Sequence, residues 1–143
     1  MIKIAIGSDH AGFELKEELI AYLKSMLIDV IDKGCYSLER ADYADYAHLV
    51  ANAVINKEVT FGLLMCGSGN GINMAANKHK GIRAALCWNI EIAELARQHN
   101  DANILTLPAR CISVEEAKKC VDVFLATQFE GGRHADRIEK IDF

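Results

Sequence analysis

Apolar residues fall along this chain in two rhythms. Mainly apolar runs at residues 2–7, 27–31, 61–65, 83–87 and 104–107, none with more than one charged or hydroxyl residue, have the length of strands. Between them, apolar residues recur every third or fourth position, the period of a helix with one buried face. Leu15, Leu19 and Leu23 stand at i, i+4 and i+8 within a helix over 12–26. Tyr46, Leu49, Val50, Ala53 and Val54 give a second helix the same stripe. The run 61–65 is apolar apart from Gly62, as a strand covered on both faces should be. A glycine-rich turn leads into a helix over 71–78, and Asn89 caps another over 90–98. Pro108 ends the last strand, and Ser113-Val-Glu-Glu116 has the spacing of a capping box for a helix reaching 126. Strand and helix therefore alternate throughout, which predicts an α/β fold with a parallel sheet and right-handed crossovers. A short helix after Gly131-Gly132 is surplus to that cover, and such an appended helix often docks on a partner chain.

Composition narrows the picture. A chain of 143 residues is expected to form one domain over 1–143. With 51% apolar and 25% charged residues it can build a core. A net charge of −4 without a basic run argues against nucleic-acid binding. No apolar stretch approaches the ~20 residues of a membrane span. Asp9 and His10 interrupt what would be the core of a leader, so the first residues read as a strand and the expectation is a soluble, cytoplasmic protein. The five cysteines are odd in number and form no C-x-x-C pair, so neither a disulfide framework nor a zinc knuckle follows. Most of them should be buried, reduced thiols.

Ligands of open parallel sheets bind at the carboxyl ends of the strands. That rule selects Ser8-Asp9-His10, the turn Cys66-Gly-Ser-Gly-Asn-Gly71 and Pro108-Ala-Arg110. In the turn, glycines at alternate positions free successive N–H groups to converge on one point ahead of a helix, a nest for an anion or a developing oxyanion. Ile72 stands where a dinucleotide fingerprint needs glycine and where a cysteine phosphatase needs arginine, and no Gly-Lys-Ser/Thr follows. What remains is a thiol beside an amide nest that should lower its pKa, or simply a buried cysteine before a tight turn. Asp9 reads equally as a helix cap, and His99-Asn100 as a helix end. Arg133 and Arg137 share a face, as a phosphate clamp or a solvated pair, while His48 and His79 read as ordinary surface residues. No metal-ligand cluster is visible, and no cofactor is expected. The set fits proton transfer on a small phosphorylated compound, and acyl transfer by cysteine almost as well.

Six segments, in order, resemble the type B ribose-5-phosphate isomerase family, which includes galactose- and allose-6-phosphate isomerases. They are Ile4-Ala-Ile-Gly-Ser-Asp-His-Ala-Gly-Phe13, Asp42-Tyr43-x-Asp45-Tyr46, Cys66-Gly-Ser-Gly-Asn-Gly-Ile72 with Ala76-Asn77-Lys78, Gly81-Ile-Arg-Ala-Ala85, Ala96-Arg-x-His99-Asn100, and Gly131-Gly-Arg-His134 with Arg137. The resemblance implies a three-layer, Rossmann-like α/β/α fold with sheet order 2-1-3-5-4 and a C-terminal helix. It implies interconversion of ribose and ribulose 5-phosphates, or of a hexose 6-phosphate pair, without cofactor or metal. Cys66 matches the base. Gly67, Ser68, Gly69, Asn70 and Gly71 match the enediolate site, and His99 matches the ring-opening residue. Asp9, Tyr43 and Asn100 match sugar contacts, while His10, Arg110, Arg133 and Arg137 match the phosphate end. Members are homodimers, sometimes tetramers, in which His99, Asn100, Arg110 and the terminal arginines come from the neighbouring subunit. Ala44 replaces a usual proline and Asn70 a usual aliphatic residue. Where some relatives carry a glutamate base, this chain has Asn73, Met74 and Ala75.

Overall fold

The computed structural model describes residues 1–143. Five strands, β1 (Lys3–Ser8), β2 (Asp29–Asp32), β3 (Phe61–Cys66), β4 (Ala84–Leu86) and β5 (Ile104–Pro108), form one parallel sheet in the order β2-β1-β3-β5-β4. After them in turn come α1 (Phe13–Ser25), α2 (Tyr43–Ile55), α3 (Asn70–Ala76), α4 (Ile90–Asn100) and α5 (Val114–Ala126), and then α6 (Arg133–Ile138). Side chains alternate across the strands and build two cores. Ile4, Ile6, Leu63, Met65, Leu105 and Leu107 face α1, α4 and α5. Ala5, Leu64, Cys66 and Ile104 face α2 and α3. The result is the expected three-layer α/β/α sandwich, with Cys66 on the α2/α3 side.

Leu15, Leu19 and Leu23 are buried as their spacing requires. The second helix differs in two ways. It begins at Tyr43, ahead of its apolar stripe, and its buried face is Ala47, Val50, Ala51 and Ala53, leaving Leu49 exposed. Small residues let α2 lie close to the sheet, where the Val50 side chain fills the space left by Gly7 and Gly62. The second strand starts at Asp29, because Leu27 adopts a left-handed conformation (φ 60°) and points to solvent. The fourth is only Ala84–Leu86. Both cap expectations hold: Asn89 accepts from the Ile92 N–H at 2.9 Å and Ser113 from the Glu116 N–H at 3.1 Å.

Parallel strands and antiparallel helices give the domain two poles. The carboxyl pole holds the residues after Ser8, Cys66 and Pro108. The amino pole holds the helix ends that lead into the next strands. β5 has five residues, so at ~3.3 Å each about 15 Å of strand lies between the poles.

Candidate active site

The carboxyl pole assembles a site around Cys66. Gly12 approaches the backbone of Met65 so closely that a Cβ there would sit 2.5 Å from the Met65 carbonyl oxygen. That close approach lets the turn after β1 lie against the end of β3. Asp9 is buried and accepts from the Gly12 N–H at 3.1 Å, so it is a cap, of a 3₁₀ turn. It is also near enough to Cys66 for its charge to raise the thiol pKa. His10 Nδ1 lies 3.1 Å from the Ala41 N–H and 3.3 Å from the Ala41 carbonyl, so the backbone of Ala41 holds this edge of the ring and leaves Nε2 without a partner in the chain. Tyr43, first residue of α2, lays its ring over Gly71, where even one methyl group would meet the ring at 2.5 Å.

The turn itself is a nest wrapped around the sulfur. Gly69 takes up φ 81°, and the N–H groups of Ile72, Gly69 and Gly71 face Cys66 Sγ closely enough to favour its thiolate. Ser68 Oγ accepts from the Asn70 N–H at 3.2 Å and keeps its own proton free to donate. The N–H groups of Gly67 and Ser68 have no partner in the chain. The sequence reading that the nest lowers the thiol pKa is corrected in its net sign. Burial raises it most, the three amides pull it back only in part, and Asp9 adds to the rise. The free subunit thus holds a protonated thiol with the donors for its thiolate already in place.

Arg110 also belongs to this pole, a correction to the implied arrangement in which it crosses from a neighbour. Its N–H donates to the Gly67 carbonyl at 2.9 Å, and a Cβ built on Gly67 would meet its guanidinium at 3.2 Å. The strand order explains this, because β5 lies beside β3. Arg110 borders an open cleft of about 410 Å³ between the turn after β1, α1 and the start of α5.

The remaining candidate site residues are at the other pole. His99 and Asn100 end α4, and the Asn100 carbonyl accepts from the guanidinium of Arg83, the residue before β4. His134 of α6 stacks on His99 with ring centroids 4.3 Å apart, which brings Arg133 and Arg137 to the same end, both exposed. One subunit therefore does not bring His99, Asn100, Arg133 and Arg137 to its own Cys66.

Four features escaped the sequence. Lys16 is fully buried and bonds both Asp32 oxygens at 2.9 Å; Asp32 in turn accepts from the Gly34 N–H, and its carbonyl from the Tyr36 hydroxyl. This network anchors the loop that ends at Ala41 and His10. Arg97 is buried against the rings of Phe61 and Phe124 and bonds Asp101 and the Ala102 and Thr127 carbonyls. His48 and His79 are not independent surface residues, since Nδ1 of one and Nε2 of the other are 2.6 Å apart. The absence of any metal-ligand cluster is also corrected: donor atoms of His99, Glu130 and His134 lie within 4.8 Å of one another. Lys16 and Asp32, His48 and His79, and His99 and His134 come from separate parts of the chain, and only the fold joins them.

Comparison with known proteins decides the family. Residues 4–141 match the family described as Ribose/Galactose Isomerase. The chain belongs to the ribose/galactose isomerase family. It is 52% identical to ribose-5-phosphate isomerase B of Escherichia coli K12, over 99% of this chain and 95% of that one. Among solved members of the family, the ribose 5-phosphate isomerase of Thermotoga maritima superposes with a TM-score of 0.98. It is 55% identical and covers 99% of this chain and 97% of its own. The Mycoplasma genitalium ribose-5-phosphate isomerase B, solved with bound ribulose-5-phosphate, gives a TM-score of 0.92 at 47% identity, covering 97% and 93%. The likeness to each of these spans nearly the whole chain.

Proposed function

We infer that the protein interconverts ribose 5-phosphate and ribulose 5-phosphate through an enediolate. The observation that carries the reading is the buried Cys66 thiol held by three amides at the end of β3, in a chain similar throughout to ribose-5-phosphate isomerases. The proton on C2 of the open-chain aldose is weakly acidic. Cys66, as thiolate, removes it, and the electron pair moves onto the C1 carbonyl oxygen. The free Gly67 and Ser68 amides and the Ser68 hydroxyl are aimed to stabilise that oxygen; one such donor is typically worth ~3–4 kcal/mol. The thiol then returns the proton to C1 while the C2 hydroxyl passes its own proton to the O1 oxyanion, and ribulose 5-phosphate results. Gly69 and Gly71 keep the sulfur in place, and Asn70 flanks the sugar.

Asp9, Tyr43 and Asn100 hold sugar hydroxyls. His10, through Nε2, acts with Arg110, Arg133 and Arg137 on the phosphate. His99 moves the proton that opens the furanose ring. Because His99 and Cys66 lie at opposite poles, this reading requires a homodimer in which the amino pole of one subunit meets the carboxyl pole of the other. Pairing of dimers into tetramers is compatible with it. No helix of the chain is long and apolar enough to cross a membrane, in keeping with a cytoplasmic place in the pentose phosphate pathway.

A direct assay of ribose 5-phosphate conversion tests the reading, run beside allose and galactose 6-phosphates and with and without EDTA. The expected result is the highest kcat/KM on the five-carbon substrate and a rate that EDTA does not lower. Preference for a six-carbon phosphate would move the protein to the hexose branch of the family. A rate abolished by EDTA and restored by one divalent metal would contradict the assigned roles.

A further inference from the structure

His99 stands in the last turn of α4 with neither ring nitrogen hydrogen-bonded within the chain. The nearest carboxylate oxygen, Glu130 Oε1, is 3.9 Å from its Nε2, beyond a hydrogen bond. A face holds the ring instead. His134 of α6 stacks on it with centroids 4.3 Å apart and planes within 12°. The backbone sets up this contact. The Glu130 N–H donates to the Gln98 carbonyl at 3.0 Å, which ties the chain ahead of α6 to the turn that carries His99. Gly131 and Gly132 then take φ 73° and 60°, a turn that brings His134 back over His99. Parallel rings send their in-plane lone pairs side by side, so the two histidines share a face and not a chelated ion. Their exposure is unequal: the His134 side chain keeps 10% of its surface and that of His99 38%. The buried ring is thus the support, and the open one is free to work. Burial, then His99, Arg133 and Arg137, outweigh Glu130 and favour the neutral form of His134. A neutral ring can lie against His99 whether or not His99 carries a proton.

We propose that His134 is the positioning residue of ring opening, its stacked face holding His99 at the angle that reaches a furanose in the site of the neighbouring subunit. A proton carrier oriented through its nitrogens would lose one of them to the hydrogen bond, whereas a stacked face leaves both free. Opening breaks the C1–O4 bond. O4 takes a proton from the His99 imidazolium, and the electron pair of the C1 hydroxyl's O–H bond forms the C1 carbonyl. The proton released from that hydroxyl passes through water to His99 and restores it. His134 touches neither the sugar nor the proton and acts only through His99. The assignment rests on the isomerase reading and on the role given there to His99.

The test compares two reactions of the full-length protein. Conversion of ribose 5-phosphate needs the ring opened. Ribulose 5-phosphate has no ring to open, because its O5 carries the phosphate. In D₂O its C1 hydrogen exchanges through the Cys66 enediolate alone, and NMR follows the deuterium entering. A misplacement of about 1 Å can cost on the order of 100-fold, so His134→Ala should lower kcat/KM on ribose 5-phosphate by about tenfold or more. Deuterium entry into ribulose 5-phosphate should stay at the native rate. His134→Phe keeps a stacked face without nitrogens and should restore most of the lost conversion. Native kcat/KM in His134→Ala would overturn the proposal. Parallel loss of conversion and exchange would overturn it too, by showing a general disturbance of the fold or of the phosphate contacts of Arg133 and Arg137. A His134→Phe enzyme as slow as His134→Ala, with exchange intact, would replace the stacked face by a need for the imidazole itself and so overturn it as well. Failure of the isomerase reading would show separately, as native protein that neither converts ribose 5-phosphate nor exchanges ribulose 5-phosphate.

Discussion

At the scale of single residues, Cys66 shows how one fold position sets opposing effects against each other. The strand end buries the thiol and so disfavours its charge, while the glycine turn supplies amides that favour it. Burial wins in the free subunit, and the sign of the pH dependence follows. An acid whose pKa is raised gives up its proton later, so the reactive thiolate accumulates only above the ordinary thiol value of about 8.5. The ascending limb of kcat/KM should lie in that alkaline range, since kcat/KM reports the free enzyme. A limb centred below pH 7 would show that the amides outweigh burial. Cys66→Ala should abolish isomerisation while ribulose 5-phosphate still binds, measurable by calorimetry. Alanine at Cys35, Cys87, Cys111 or Cys120 should leave turnover largely intact, and an active Cys66→Ala enzyme would remove the base from the mechanism. The turn was legible in the sequence because its glycine spacing is local. The net sign of the pKa was not, because burial depends on what packs over the turn.

At the scale of elements, the strands and helices followed from local periodicity, and their errors follow from tertiary packing. Val50, which fills the space above Gly7 and Gly62, fixes the orientation of α2 and turns Leu49 outward. The left-handed Leu27 delays β2. No pattern announced Lys16, a lysine in the first turns of α1 that reaches Asp32 at the end of β2. It holds the loop that delivers the Ala41 N–H to His10. Lys16→Met should therefore act in two ways. Losing one partner of a buried pair costs about 3–5 kcal/mol, and the partial exposure of Asp32 places this case near the lower figure. Denaturant unfolding measures that loss. Kinetics should show a raised KM from the loosened phosphate end, with kcat less affected. Unchanged stability and KM together would mean the loop is held by other contacts.

At the scale of the whole molecule, the two-pole architecture matters most. The sheet order was implied by family resemblance, and it explains why Arg110 joins Cys66 within one chain. The same architecture puts His99 and the terminal arginines about 15 Å of strand away. The motifs nominated the candidate residues, and the resemblance assigned some of them to a neighbouring subunit. Periodicity alone could not divide them between the poles, because that depends on where each helix ends relative to the sheet. Core chemistry sets a second global property. Burial, aided by Cys120 beside the first and Glu116 beside the second, pushes the Cys87 thiol up to about 12 and Cys120 up to about 11. Thiols with raised folded pKa values contribute stability below the unfolded value of about 8.5 and lose it as pH climbs toward the folded ones. The melting temperature should fall from about pH 8.5 upward. Cys87→Ala should flatten that fall at some cost in stability at neutral pH; an unchanged alkaline slope would contradict the assignment.

The proposed shared active site is tested most directly by mixing two inactive variants. Cys66→Ala and His99→Ala dimers should each be deficient, because every site in them carries a lesion. Unfolded and refolded together, they form heterodimers in which one site carries both lesions and the other none. Random pairing makes half the dimers mixed, so roughly a quarter of all sites are wild type in a two-fold dimer. The account predicts recovery of about a quarter of the native activity on ribose 5-phosphate. If Cys66 and His99 act from the same chain, every site keeps one lesion. No recovery in a mixture shown by native mass spectrometry to contain heterodimers would contradict the account.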